Sequence, residues 1–170
     1  MERPANTARP RRAREHEDAL QLPLRARGDL LRARAAAENI IPTSTGAARA
    51  VGKVLPDLNG KLDGIACRVP VPDGSAVDLF VEVEKQINID KFNEIVKSAS
   101  ESNRLKNILE YSDSPIVSTD IIGNAKSSIY DSSGTHIING RYLRTLNWYD
   151  NEWGYSNRVV DLIDLLGESL

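Results

Sequence analysis

The chain has 170 residues, 41% of them hydrophobic and 27% charged, which suits one soluble globular domain able to bury a core. No apolar run approaches the roughly 18 residues a membrane span requires, and the charged N-terminus has no apolar stretch of the secretory-signal kind. Cys67 is the only cysteine, which excludes an intrachain disulfide and a multi-cysteine metal site and suits a cytoplasmic protein. The net charge of −2 hides a split. Residues 1–34 carry nine arginines, no lysine and five acids, whereas residues 35–170 carry six arginines, seven lysines and nineteen acids. Ile is absent before Ile40, and fourteen isoleucines follow from there. The break in character falls near residues 28–34 and divides the chain into a basic head, 1–28, and a domain, 29–170.

The head has no steady hydrophobic period, and its scattered Pro and Arg predict a largely disordered segment with at most a short helix at Arg14–Leu20. Asn39–Thr43 reads as a short strand. Thr45 is placed to cap a helix that begins at Gly46, carries Val51, Val54 and Leu55 at helical spacing, and stops at Pro56. Lys61–Pro70 reads as a strand with Ile65, Cys67 and Val69 on its core face and Ala66 and Arg68 opposite. Pro72-Asp73-Gly74 is a turn signal, and Ser75–Lys85 alternates well, so these two strands are expected to pair as an antiparallel hairpin. A helix capped by Asp90 follows, with Phe92, Ile95, Val96 and Ala99 on its buried side. Strands are expected at Ile108–Tyr111, Ser127–Asp131, Thr135–Ile138 and Tyr142–Tyr149, with turns at Gly134 and Asn139-Gly140. A helix from about Glu152 to Leu166 closes the chain with a stripe of Val159, Leu162, Ile163 and Leu166. The order implies an α+β fold, a largely antiparallel sheet with helices on one face. There is no internal repeat and no G-x-G-x-x-G motif.

Anion binding is the clearest chemical signal. Thr43-Ser44-Thr45-Gly46 precedes a predicted helix, where free N–H groups and the positive dipole end favour phosphate, although an ordinary N-cap explains the same residues. Arg68 lies in an otherwise apolar strand and needs an anion or a carboxylate such as Asp78 or Glu82. Arg32 and Arg34 read as a solvated basic stretch. Cys67, by parity with Ile65 and Val69, reads as an inert core thiol. His16 and His136 have no Ser, Cys or carboxylate at catalytic spacing, and no metal-ligand cluster is present. The segment from Trp148 to Asn157 mixes aromatic and polar side chains. It can anchor the last helix or cup a flat heterocycle.

Three blocks carry a family resemblance. Arg32-Ala33-Arg34-Ala35-Ala36-Ala37 with Asn39–Ala48, then Leu62-Asp63-Gly64 leading into Arg68–Ser75, and finally Trp148–Arg158 closely resemble the phosphorylating glyceraldehyde-3-phosphate dehydrogenases, from about Asp29 onward. The resemblance implies the C-terminal catalytic domain of an NAD-dependent glycolytic oxidoreductase. By it, Thr45 and Gly46 match the site for attacking inorganic phosphate, Arg68 the site for the phosphate of glyceraldehyde 3-phosphate, and Arg32 lies between them. Asn151 matches the residue that hydrogen-bonds the nicotinamide carboxamide, and Tyr155 an aromatic beside that ring. Family enzymes attack the aldehyde with a cysteine thiolate, pass hydride to NAD and release the acyl group to phosphate.

The departures are equally specific. Neither the dinucleotide-binding (Rossmann) half nor the S-C-T-T-N-C type segment with the nucleophile is found in these 170 residues, and Cys67 aligns with a variable strand position. Counting back from Asp29 puts Arg14 where the family has its base histidine; His16 misses by two. Leu31 replaces a common arginine. The family forms homotetramers, but the interface loop that follows the histidine is unrecognisable before Asp29. The head therefore reads as foreign, mis-spliced or out-of-frame sequence, and this polypeptide is expected to be inactive alone, with weak or no NAD binding. The alternative is a non-catalytic module whose basic head binds an acidic partner or nucleic acid.

Overall fold

The structure is a computed structural model that describes residues 37–168. The expectations for the 1–28 head, the short helix at Arg14–Leu20 and the site residue Arg32 lie outside the described residues. The described residues divide into two compact units that part after Pro70.

In the first unit, β1 (Ile41–Ser44) is followed by helix α1 (Ala47–Val54), a 3-10 turn at Pro56–Leu58, and β2 (Ile65–Arg68). Helix α1 begins where the Ala47 N–H donates to Thr45 Oγ1 at 3.2 Å and the Ala50 N–H to the Gly46 carbonyl at 2.9 Å. It ends at Leu55, whose N–H reaches the Val51 carbonyl, because Pro56 has no N–H to continue the ladder. Strands β1 and β2 pair antiparallel, with Ile41 opposite Arg68 and Ser44 opposite Ile65. Ile41 is buried, yet Ile65 is 71% exposed and Cys67 is exposed too. The expected core face of Ile65, Cys67 and Val69 is therefore not a core face. A two-stranded ladder of four residues has two faces, and the buried Ile41 shares its side with Arg68, the opposite one to Cys67.

The second unit holds β3 (Ser75–Glu82), α2 (Ile89–Ser100), β4 (Leu109–Ser112), a 3-10 turn (Ser118–Ile121), β5 (Ser128–Ile138), β6 (Tyr142–Tyr149) and α3 (Trp153–Glu168). Its sheet has the order β3-β6-β5-β4, antiparallel except for the parallel β4–β5 pair. The α+β architecture expected from the sequence is the one that forms. The expected hairpin between the second and third strands does not form: β2 pairs with β1, and β3 pairs along its whole length with β6, from Ser75–Tyr149 to Glu82–Tyr142. Eight ladder positions with the long final strand outweigh the few that a short β2 followed by Pro70 and Pro72 could offer.

Gly134 does not turn the chain either. Residues 128–138 are one strand with a bulge, in which the four residues between Asp131 and His136 lie opposite the single residue between Leu146 and Arg144. Asp131 organises the bulge. Its Oδ1 accepts from the Ser133 N–H, Ser133 Oγ and the Gly134 N–H at 2.6–3.0 Å, and its Oδ2 accepts from Trp148 Nε1 at 3.1 Å. The turn at Asn139-Gly140 is as expected: both residues have positive φ, 51° and 68°, the shape that a tight hairpin needs.

Helix α2 is capped by Asn88 rather than Asp90, since Asn88 Oδ1 accepts from the Lys91 N–H at 2.8 Å. It stands over β4 and β5. Phe92 meets the Tyr130 ring edge-on at 5.9 Å, and Asn93 accepts from the Tyr130 hydroxyl at 2.7 Å. Ile95, expected on the buried side, is exposed. Ile121, Ile129, Tyr130 and Leu143 form the buried centre. The stripe of α3 is exposed along its length. No helix among the described residues is long and apolar enough to cross a membrane.

Candidate functional site

The anion-site residues fall in the first unit. Thr45 and Gly46 stand at the start of α1, as the sequence predicts, but the Thr45 hydroxyl already accepts from the helix's first N–H. Arg68 is exposed at the far end of β2, opposite Ile41 and four residues from Thr45 along the ladder. At the rise of a strand this is roughly 13 Å between backbones, and no hydrogen bond links the two residues among those described. Ladder pairing puts Arg68 on the same side as Ile41 and Thr43, and alternation carries that side on to Thr45. The register thus aligns the two residues on one side without bringing them into contact.

The carboxylates offered as ordinary partners for Arg68 are engaged elsewhere. Asp78 holds Arg144 through two bonds of 2.8 and 2.9 Å, and Glu82 pairs with Arg141 at 2.9 Å. Among the described residues no carboxylate pairs with Arg68.

The second unit holds an open cleft of about 420 Å³, lined by Ser127, Tyr149, Asp150, Asn151, Gly154, Tyr155 and Arg158. It contains both residues, Asn151 and Tyr155, that the family resemblance matches to nicotinamide contacts. Asp150 builds the cleft. It is only 2% exposed, and its carboxylate accepts from the Gly123 N–H at 2.7 Å, the Glu152 N–H at 2.9 Å and the Trp153 N–H at 2.6 Å. Burial by itself raises the Asp150 carboxyl, but the N–H groups of Gly123, Trp153 and Glu152 outweigh it and hold the group below the usual carboxylate range. The same carboxylate caps α3, whose turn closes through the Gly154 N–H to the Asp150 carbonyl at 3.1 Å. Gly154 is buried, and a Cβ there would lie 3.0 Å from the Lys126 carbonyl oxygen.

Asn151 Oδ1 accepts from Ser75 Oγ at 2.9 Å and from the Gly74 N–H at 3.2 Å. Arg158 reaches the Asn107 carbonyl and Asp161, but its Nε and the hydroxyl of Ser127 are buried without a hydrogen-bond partner among the described residues. A wall with such groups suits a partly polar ligand. Sequence reading placed Asp150 in a segment able to cup a ring without giving it a role, and it missed Ser127 and Arg158 as parts of the cleft and Ser75 as the partner of Asn151. Asp150 had a signal, an Asp directly ahead of a helical stripe. Ser75 had none, because 76 residues separate it from Asn151.

The second unit is thus an α+β domain whose last helix, capped by Asp150, starts beside a cleft lined in part by Tyr149 and Tyr155. Residues 11–151 match the family model described as glyceraldehyde 3-phosphate dehydrogenase, C-terminal domain, and the chain belongs to that family. It is 56% identical over 142 residues to a glyceraldehyde-3-phosphate dehydrogenase of Mycobacterium tuberculosis (strain ATCC 25618 / H37Rv), an alignment covering 84% of this chain and 41% of that protein. The enzyme of Streptomyces coelicolor is likewise 56% identical over 142 residues, with 84% and 42% covered. That of Mycobacterium leprae is 54% identical over 142 residues, with 84% and 41% covered. The chain spans about two fifths of the length of the curated relatives it matches.

Proposed function

We propose that residues 29–170 are the substrate-holding domain of an NAD-dependent, phosphorylating glyceraldehyde-3-phosphate dehydrogenase, a cytoplasmic glycolytic oxidoreductase that works as a homotetramer. The observation that carries this reading is the family match over residues 11–151. In it, Thr45 and Gly46 hold inorganic phosphate, Arg68 holds the phosphate of glyceraldehyde 3-phosphate, and Arg32 lies between the two sites. The start of α1 supports the first role, because displacing the Thr45 hydroxyl from the Ala47 N–H frees two donors for a dianion. The lack of a carboxylate on Arg68 among the described residues supports the second.

The cleft suits the nicotinamide end of NAD. Its volume lies in the range of about 300–1,000 Å³ typical of small-molecule sites, Asn151 offers an amide to a carboxamide, and Tyr155 offers a ring face. When bound, NAD supplies the hydride acceptor. The chain's own residues orient the ring and hold the two phosphates. The 170-residue polypeptide on its own is expected not to reduce NAD with glyceraldehyde 3-phosphate and phosphate, since Cys67, its single cysteine, aligns with a variable strand position of the family and not with its nucleophile. Turnover above blank that is lost in Cys67→Ser would overturn that expectation.

The direct test of the phosphate role is a melting experiment. Phosphate at tens of millimolar should raise Tm by ligand linkage, Arg68→Ala should abolish the rise, and Arg32→Ala should weaken it less. A rise unchanged in Arg68→Ala would refute the assignment. The alternative, a binding module acting through the arginine-rich head, depends wholly on residues outside those described.

A further inference from the structure

We propose that Ser75 is a positioning residue for Asn151, fixing the plane of its amide at the mouth of the cleft; this rests on the reading of Asn151 as the cofactor contact. Asn151 sits directly before the first turn of α3 and is itself exposed. An exposed asparagine turns freely about its side-chain bonds, and a ligand that needs one orientation must bear the cost of selecting it. Here two groups select it in advance, Ser75 Oγ at 2.9 Å and the Gly74 N–H at 3.2 Å, both donating to Oδ1.

The two donors are unequal. The Gly74 N–H also lies 2.8 Å from Asp73 Oδ1, so its longer bond to Asn151 is the weaker branch of a shared donor. Ser75 Oγ donates to Asn151 alone, and at the shorter distance. The side chain that decides the amide's orientation is therefore Ser75.

The fold brings these groups together without help from local sequence. Ser75 opens β3 and is the ladder partner of Tyr149, two residues before Asn151 on the strand that runs into α3. Gly74 turns the chain into β3 with φ of 90°, and a Cβ there would meet the Ser118 carbonyl oxygen at 2.6 Å. Only glycine allows this approach. Asp150, held by three N–H groups, fixes the backbone immediately ahead of Asn151. Backbone and side chain of Asn151 are thus set by separate contacts, and Ser75 governs the second.

The test uses the 170-residue chain and two readouts. The first is the order of the Asn151 side-chain amide from ¹⁵N relaxation, without ligand. In the wild type it should be as ordered as the backbone, in Ser75→Ala it should average freely, and in Ser75→Thr, which keeps the hydroxyl, order should return. The second is titration with nicotinamide and nicotinamide mononucleotide, followed at the same amide signals. Ser75→Ala should weaken binding about three- to tenfold, the usual effect of one lost hydrogen bond, and Ser75→Thr should restore most of it. An Asn151 amide as ordered in Ser75→Ala as in the wild type overturns the positioning role. An amide that loosens as expected while the pyridine compounds, at concentrations that saturate the wild type, perturb other residues and leave Asn151 unmoved overturns the cofactor reading, and the role built on it.

Discussion

Replacing Asp150 by Ala should be among the most damaging single changes in the second unit. The carboxylate is buried and satisfies three backbone N–H groups, two of them at the start of α3 and one at Gly123, 27 residues back. Losing an N-cap of this kind costs about 0.5–2 kcal/mol. Leaving the Gly123 N–H unpaired adds about 1–3 kcal/mol. The two effects act at separate groups, so their sum is about 3 kcal/mol, which for a domain of this size lowers Tm by roughly 10 °C. Asp150→Asn should lie between, because one amide oxygen can serve one side of the site while the amide N–H₂ opposes the N–H groups on the other.

The pH dependence has a definite sign. The folded-state value is held below the ordinary one, so the stabilisation is complete above the unfolded value near pH ~4 and is lost as pH falls through the lowered folded-state value. Thermal melts by circular dichroism between pH 2 and 7 read both effects: the wild type should lose stability steeply below about pH 4, and Asp150→Ala less steeply. An Asp150→Ala protein within about 0.5 kcal/mol of the wild type at pH 7 would mean that water satisfies those N–H groups, and the account of Asp150 as the organiser of the cleft would be wrong.

Gly134→Ala should destabilise by about 1–3 kcal/mol, because the added Cβ would sit 2.7 Å from Leu146 Cδ2 and 2.8 Å from its Cβ; chemical denaturation measures this, and a neutral result would show that the bulge can shift. Asp78→Ala should change stability by no more than about 1 kcal/mol despite its two good bonds to Arg144, since both side chains face solvent, with 38% and 44% exposure; a loss that grows in high salt rather than shrinking would contradict the ion-pair account. Leu162 and Ile163 are 55% and 61% exposed, so Leu162→Lys with Ile163→Lys should leave Tm within a few degrees in a thermal melt; a collapse of Tm would mean that this stripe packs inside the unit.

Local chemistry was enough to find what is local in this chain. The start of α1 after Thr45, its end before Pro56, the hairpin at Asn139-Gly140 and the final helix each depend on a few neighbouring residues with restricted backbones or capping oxygens, and each was readable to within a residue or two. The α+β class followed from their order. Strand partners were different, because adjacent strands compete with distant ones and alternation is blind to which wins. Ser75–Lys85 read as a strand either way, but only the assembled sheet chose Tyr142–Tyr149 as its partner. The same choice governs the sites. Alternation put Cys67 on a core face only because a strand pattern cannot say whether a second layer exists to cover that face, and here Ile65 and Cys67 face solvent. The sequence named Asn151 and Tyr155 through their block. The tertiary structure added Ser75, Ser127 and Arg158, because a cleft is made where separate segments meet, and nothing in a segment's own residues records which others it will meet.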